Sequence, residues 1–214
     1  MVFGLDGWMH NFTQFTPAAL SPEVLADVPA PYKEIAIYGF FKAGEIASVL
    51  GGLVVHPIYR FYLTKRLNVE ETTPNSHKII RSTCRKLQGR MLLASFVVGP
   101  SVALLWSTTK TTSQLAETCY QIRRNENELT IDRCSLVFGL IGWYWRRFQG
   151  AVDGVNIGLA YALFNNKVLA PSTTPMLKNK IPAEEQFSSV QEAASTRTRL
   201  EHFLASQGKG EEGR

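Results

Sequence analysis

Hydrophobic positions in this chain are gathered into blocks separated by polar stretches. From Met91 to Thr109, nineteen residues (MLLASFVVGPSVALLWSTT) include no Asp, Glu, Lys or Arg. That is close to the ~20 residues a helix needs to cross about 30 Å of hydrocarbon. Three uncharged runs are shorter: Ile46–Tyr59, which Ile35–Ala43 extends past Lys42 and Glu45, then Cys134–Trp145 and Gly154–Asn166. A run of that length alone fits a buried helix as well as part of a span.

The blocks predict four helices: Tyr32 to Leu63, a second starting near His77, Thr130 to Phe148, and a fourth from Gly150 or Ala151 to near Val168. Pro57 is expected to kink the first. The third and fourth are expected to form a hairpin with almost no loop. The second opens on HKIIRSTCRKLQGR, which suits either an anionic membrane surface or a solvated helix start. Residues 1–32 read as an arm carrying Phe3, Trp8, Phe12 and Phe15 and broken by prolines 17, 22, 29 and 31. Residues 169–214 read as a polar tail with one short amphipathic helix over 184–206 and a disordered GKGEEGR end. The predicted architecture is all-α: a four-helix transmembrane bundle over 33–168, with glycine-striped packing faces, flanked by arm and tail.

Charge sharpens this picture. Across 214 residues there are 23 Lys and Arg against 18 Asp and Glu, and charged residues make up 19%, below the ~25% of an ordinary soluble domain. The stretch from Arg60 to Arg90 has eight basic residues against Glu70 and Glu71, and the turn between the third and fourth runs adds Arg146 and Arg147. The connection between the second and third runs is balanced, and the arm before Lys33 holds Asp6, Glu23 and Asp27 with no Lys or Arg. This is the asymmetry of the positive-inside rule, with both termini on the side away from the basic connections. Arg81, Arg85, Lys86, Arg90, Arg146 and Arg147 are candidate contacts for lipid headgroups. The arm lacks the basic residues of a secretory signal or transit peptide.

Small residues recur at helical spacing inside each block: Gly44, Ser48 and Gly52; Ser95, Gly99 and Ala103; Ser135, Gly139 and nearby Gly142; Gly150, Gly154, Gly158 and Ala162. Glycine in a helix costs ~1 kcal/mol relative to alanine in water. In lipid, close backbone approach across such stripes is what brings helices together.

Reactive constellations are not evident. The sequence has no phosphate-binding glycine loop, GxSxG, HExxH or CxxC, and His10, His56, His77 and His202 show no metal-ligand spacing. No metal, cofactor or nucleic-acid partner is expected. Glu45 and Asp153, near or inside the blocks, would either line a polar path or pair with Lys42 and with Arg146 or Arg147. Cys119 and Cys134 are a candidate disulfide pair worth about 3 kcal/mol in an oxidising compartment; three reduced thiols, Cys84 included, are the alternative. Asn11-Phe12-Thr13 matches the glycosylation acceptor pattern.

KAGEIASVLGG (42–52), GRMLLASFVVGPSVA (89–103) and above all RCSLVFGLIGWYWRRFQGAVDGVNIGLA (133–160) carry a resemblance. Over roughly residues 40–165 the chain resembles the four-helix channel-forming subunits of the mitochondrial inner-membrane import machinery and their related accessory subunit of respiratory complex I. It is more similar to the accessory subunit, through the Lys-Ala start leading into Ile46-Ala47-Ser48-Val49. The resemblance implies a multi-pass inner-membrane protein with termini on the intermembrane-space side. It implies a non-catalytic accessory role in the NADH:ubiquinone oxidoreductase, with other subunits of the membrane arm and membrane lipids as partners. A subunit of the import translocase is the alternative.

Overall fold

The computed structural model describes residues 4–13, 25–66, 75–173 and 187–211, and among these there are helices and no strand. Phe3, Phe15, Pro17, Pro22, Glu23, Glu70, Glu71 and the side chains of His202 and Leu204 lie outside the described residues. The helices are α1 (Asp6–Thr13), α2 (Pro31–Arg66), α3 (Ser76–Ser107), α4 (Thr112–Arg124), α5 (Glu126–Phe164) and α6 (Val190–Glu211). The chain divides into two units: Ile35–Thr109 with Glu126–Thr174, and Met1–Glu34 with Lys110–Asn125 and Pro175–Arg214. The expected arm and tail thus share a unit with Lys110–Asn125, a stretch expected within the 33–168 bundle.

In the larger unit, α5 folds back on itself at Arg146 (φ −133°, ψ 21°) and Arg147 (φ 54°, ψ −144°). The two arms pack backbone to backbone. Gly150 lies against the Gly142 carbonyl, Gly154 against the Phe138 carbonyl, and a Cβ on Gly158 would sit 2.5 Å from the Cys134 oxygen. Each contact steps four residues along both arms in opposite directions, the signature of an antiparallel hairpin with one small-residue face. The hairpin expected from the sequence is therefore present, with two residues in its turn.

α2 and α3 are also antiparallel. Gly39 meets Gly99, Gly44 meets the Phe96 ring, and Gly51 meets Gln88, whose amide donates to the Gly51 carbonyl at 3.1 Å. α2 runs parallel to the first arm of α5. Tyr38 bonds Glu128, Lys42 bonds Asp132, and Ser135 bonds Glu45, each pair 90 residues apart. The C-terminal end of α2, the N-terminal end of α3 and the Arg146–Arg147 turn consequently lie toward one end of this unit.

Two π-helical segments interrupt the rods, Leu50–Val55 and Asn165–Leu169. Each ends two residues before a proline, Pro57 or Pro171. A proline ring clashes with the carbonyl four residues back and donates no bond to it. Widening the preceding turn relieves the clash: His56 N–H reaches the Gly51 carbonyl and Ala170 N–H the Asn165 carbonyl, each five residues back. Pro57 thus produces a local widening in the expected place, and the helical path past Phe164 runs on to Thr173.

The smaller unit is built around α4, a helix that no uncharged run marks. Thr111 and Gln114 form a capping box at its start. Leu115, Cys119, Tyr120 and Arg123 make its buried stripe. Tyr120 packs with Ala26, Ala193, Leu25, Phe187 and Val190, and its hydroxyl donates to the Phe187 carbonyl at 2.7 Å. Trp8 stacks on the buried Phe12 of α1, with ring centroids 4.9 Å apart. Asn11 donates to the Arg123 carbonyl at 3.1 Å, so its amide serves the fold and the glycosylation pattern is built into packing. α6 extends to Glu211, into the segment expected to be disordered.

Candidate functional site: a polar cluster beside an apolar cavity

The larger unit buries small and charged residues and exposes large apolar ones. Ser48, Ala162, Ser135, Asp132 and Glu45 are buried, whereas Leu53, Val97, Leu105, Tyr144 and Trp145 are each about 70–80% exposed. Pro31–Arg66 and Ser76–Ser107 are long and apolar enough to cross a membrane, and only 11% and 22% of their apolar stretches are buried. The core helix of a water-soluble bundle is mostly buried instead.

One polar cluster joins α2 to the first arm of α5. Lys42 Nζ donates to Asp132 Oδ1 at 2.7 Å and to Glu45 Oε2 at 3.2 Å, and lies 4.0 Å from Glu128. Tyr38 donates to Glu128 at 3.0 Å. The Ser135 hydroxyl sits 3.0 Å from Glu45 Oε1 and 2.9 Å from the Asp132 carbonyl. A buried carboxylate without partners is costly. Here one ammonium and two hydroxyls hold three carboxylates, so the cluster acts as a polar pin between helices. Glu45 is paired with Lys42, as one of the two sequence readings had it. Asp153 pairs with Arg85 at 3.7 Å rather than with Arg146 or Arg147.

Beside the pin lies a cavity of about 300 Å³, walled by Phe40, Phe96, Leu136, Trp143, Phe148 and Val155, with Glu45 and Ser135 at its edge. All four rods of the unit contribute. Their bonds to Lys42 and Asp132 leave Glu45 and Ser135 with little polarity to offer, so the lining is almost wholly apolar. Trp143 and Phe148 bracket the hairpin turn, where the Arg147 guanidinium lies 5.4 Å over the Trp143 ring. Arg81, Lys86, Arg90 and Arg146 are exposed. Gly89, next to Arg90, sits against Phe148, so α3 brings basic residues to the same turn.

The candidate packing residues divide by what they touch. Gly142, Gly150, Gly154 and Gly158 make backbone contacts within the hairpin, and Gly139 meets the Val155 side chain. Ala162 is fully buried. Gly99 and Ala103 pack on Gly39 and Ala43, a pair the sequence reading missed although it has the same four-residue spacing. Gly44 meets an aromatic ring instead. Asn156 donates to the Ser48 carbonyl at 3.2 Å and fills the space beside Gly52. The Ser95 hydroxyl bonds back to the Leu92 carbonyl.

Cys119 and Cys134 do not form the candidate bridge: all three cysteines are free thiols. In the smaller unit the buried Cys119 thiol donates to the Pro31 carbonyl at 3.4 Å. Burial, then the nearby Glu34 carboxylate, push it up to about 12. The same unit contains the buried Arg123, whose partner no local pattern in the sequence identifies. Its Nε and Nη2 hold the Glu34 carboxylate at 2.9 and 2.6 Å, and Nη1 donates to the Leu25 and Asp27 carbonyls at 3.0 and 2.8 Å. Among the described residues no group of three His, Cys, Asp or Glu is arranged to hold a metal ion.

No curated protein matches the chain. A family model described as a protein of unknown function, DUF1757, matches residues 8–165, which take in the polar pin, the cavity and the hairpin. The chain therefore belongs to the DUF1757 family.

Proposed function

We propose that this protein is a non-catalytic structural subunit of a large membrane complex, and that its four rods cross the bilayer as a glycine-packed scaffold. The observation that carries this reading is the reversed distribution of side chains in the larger unit. Glycine, serine and alanine lie inside, and Leu, Val, Ile, Phe and Trp cover the outside. In water so large an apolar exterior is a liability. In a bilayer it faces hydrocarbon or the apolar flank of a neighbouring subunit, and close backbone packing holds the helices together. The basic residues of the α2 C-terminus and the α3 N-terminal half lie toward the end that carries the Arg146–Arg147 turn, in keeping with the positive-inside pattern.

The sequence resemblance makes the membrane arm of mitochondrial respiratory complex I the first assembly to test, with a role in assembly and stability and termini in the intermembrane space. An import-translocase subunit is the second reading. It called for a polar groove with Glu45 and Asp153 on one wall. Glu45 borders the cavity, but Asp153 is paired with Arg85 and the lining is apolar, which favours the scaffold. Affinity purification of the full chain in mild detergent, followed by native electrophoresis and mass spectrometry, tests the choice. Co-migration with NADH dehydrogenase activity supports the first reading. Co-migration with import components would replace it with the second, and a lone soluble species would remove both.

A further inference from the structure

We infer that the cavity is a binding site for one anionic phospholipid, with an acyl chain in the slot and the phosphate on the Arg146–Arg147 turn. The inference rests on the membrane reading above and adds a ligand to it. A space of about 300 Å³ is far larger than one water needs, yet apolar cavities do not fill with water. Left empty, the lining would forfeit its dispersion contacts. In a bilayer the apolar material at hand is an acyl chain, and the slot is walled by the aromatic and aliphatic side chains such a chain packs against. Its edge at Glu45 presents no free charge, because Lys42 and Ser135 already hold that carboxylate.

The headgroup is chosen by charge. Trp143 and Phe148 line the slot and flank Arg146 and Arg147 in the turn, and both arginines are exposed. Arg90 lies beside Gly89, which packs on Phe148, and adds a third cation to that end. A chain lying in the slot therefore brings a lipid phosphate to guanidinium groups suited to bidentate phosphate contacts. Neutral zwitterionic lipids gain less there, since anionic headgroup attraction accrues per Lys or Arg at the surface.

The test uses the full chain purified in mild detergent. It is titrated with phosphatidylglycerol, with phosphatidylcholine of the same acyl chains and with inorganic phosphate, and bound mass is read by native mass spectrometry. One phosphatidylglycerol is retained about tenfold more tightly than phosphatidylcholine, and phosphate does not displace it. Replacing Arg146 and Arg147 together by Gln weakens phosphatidylglycerol roughly tenfold, to about the affinity of phosphatidylcholine, which changes by less than about threefold. Leu140 also lines the slot and is half-exposed, and Leu140→Trp, which would fill the slot, weakens both lipids. Equal retention of the two lipids on the unaltered chain, or displacement by phosphate, overturns the inference whatever the variants do. If alkaline carbonate strips the chain from membranes, the membrane reading falls as well. If it resists carbonate but does not discriminate between lipids, only the lipid site is lost.

Discussion

Gly142 and Gly150 meet backbone to backbone across a turn made of Arg146 and Arg147, so neither position has room for a Cβ. Gly154 continues that contact against the Phe138 carbonyl. Gly154→Leu should therefore force the arms apart and lower stability by about 3 kcal/mol, the upper range for overpacking. Ile141→Ala, on the half-exposed outer face, should change it by only about 0.5 kcal/mol. Thermal unfolding in detergent measures both, and equal effects would mean that the glycine face is not the packing seam.

Arg147 adopts φ 54°, ψ −144°, a conformation that glycine reaches without penalty and other residues reach at a cost of about 1–3 kcal/mol. Its guanidinium also covers Trp143, so the backbone effect has to be isolated. Arg147→Gly and Arg147→Gln both lose the guanidinium. The glycine variant should be the more stable of the two by about 1 kcal/mol, after glycine's entropy cost is deducted. A glutamine variant as stable as the glycine one would show that the turn carries no strain.

Among the described residues, the buried Arg123 donates twice to Glu34 and twice to carbonyls. Removing one partner of a buried ion pair costs about 3–5 kcal/mol, because the other charge remains in place without water. Arg123→Ala should thus destabilise the smaller unit by that amount, while Arg197→Ala, in an exposed pair with Glu201, should cost under about 0.5 kcal/mol. Limited proteolysis of the smaller unit, compared between the two variants, reads the difference.

Cys119 has a pKa raised from 9.0 to about 12. The folded chain holds its proton while the unfolded chain releases it near pH 9. The stabilisation is complete below about pH 9 and is lost as pH rises toward 12. Because the thiolate is the nucleophile, Cys119 should resist maleimide at neutral pH until denaturant is added. Alkaline unfolding of the smaller unit should shift to higher pH in Cys119→Ala. Rapid native labelling of Cys119 would contradict its burial.

The sequence carried the helical blocks, the short hairpin and the Gly150–Gly154–Gly158 face, because charge-free runs and four-residue spacing are local signals. It also carried the Lys42–Glu45 pair, three residues apart. It did not reveal that the first helix packs on two faces: Gly39 and Ala43 meet Gly99 and Ala103 on α3, while Gly44 and Ser48 are buried beside Phe96 and Asn156. α4 contains no long uncharged run, although Leu115, Cys119 and Arg123 with the Thr111–Gln114 cap are an ordinary amphipathic pattern. The Arg123–Glu34 pair, 89 residues apart, and the cavity depend on how distant helices pack, and no local pattern encodes either.

The most direct measurement of the scaffold claim is side-specific labelling of single cysteines in sealed membranes containing the full chain. Ser82 and Arg146 report the basic end of the larger unit, and Thr109 and Ser172 report the far ends of its rods. If the rods span the bilayer, cysteines at the first pair react with an impermeant maleimide from one side only, and those at the second pair from the opposite side only. Reaction of all four from the same side, without permeabilisation, would contradict the scaffold claim.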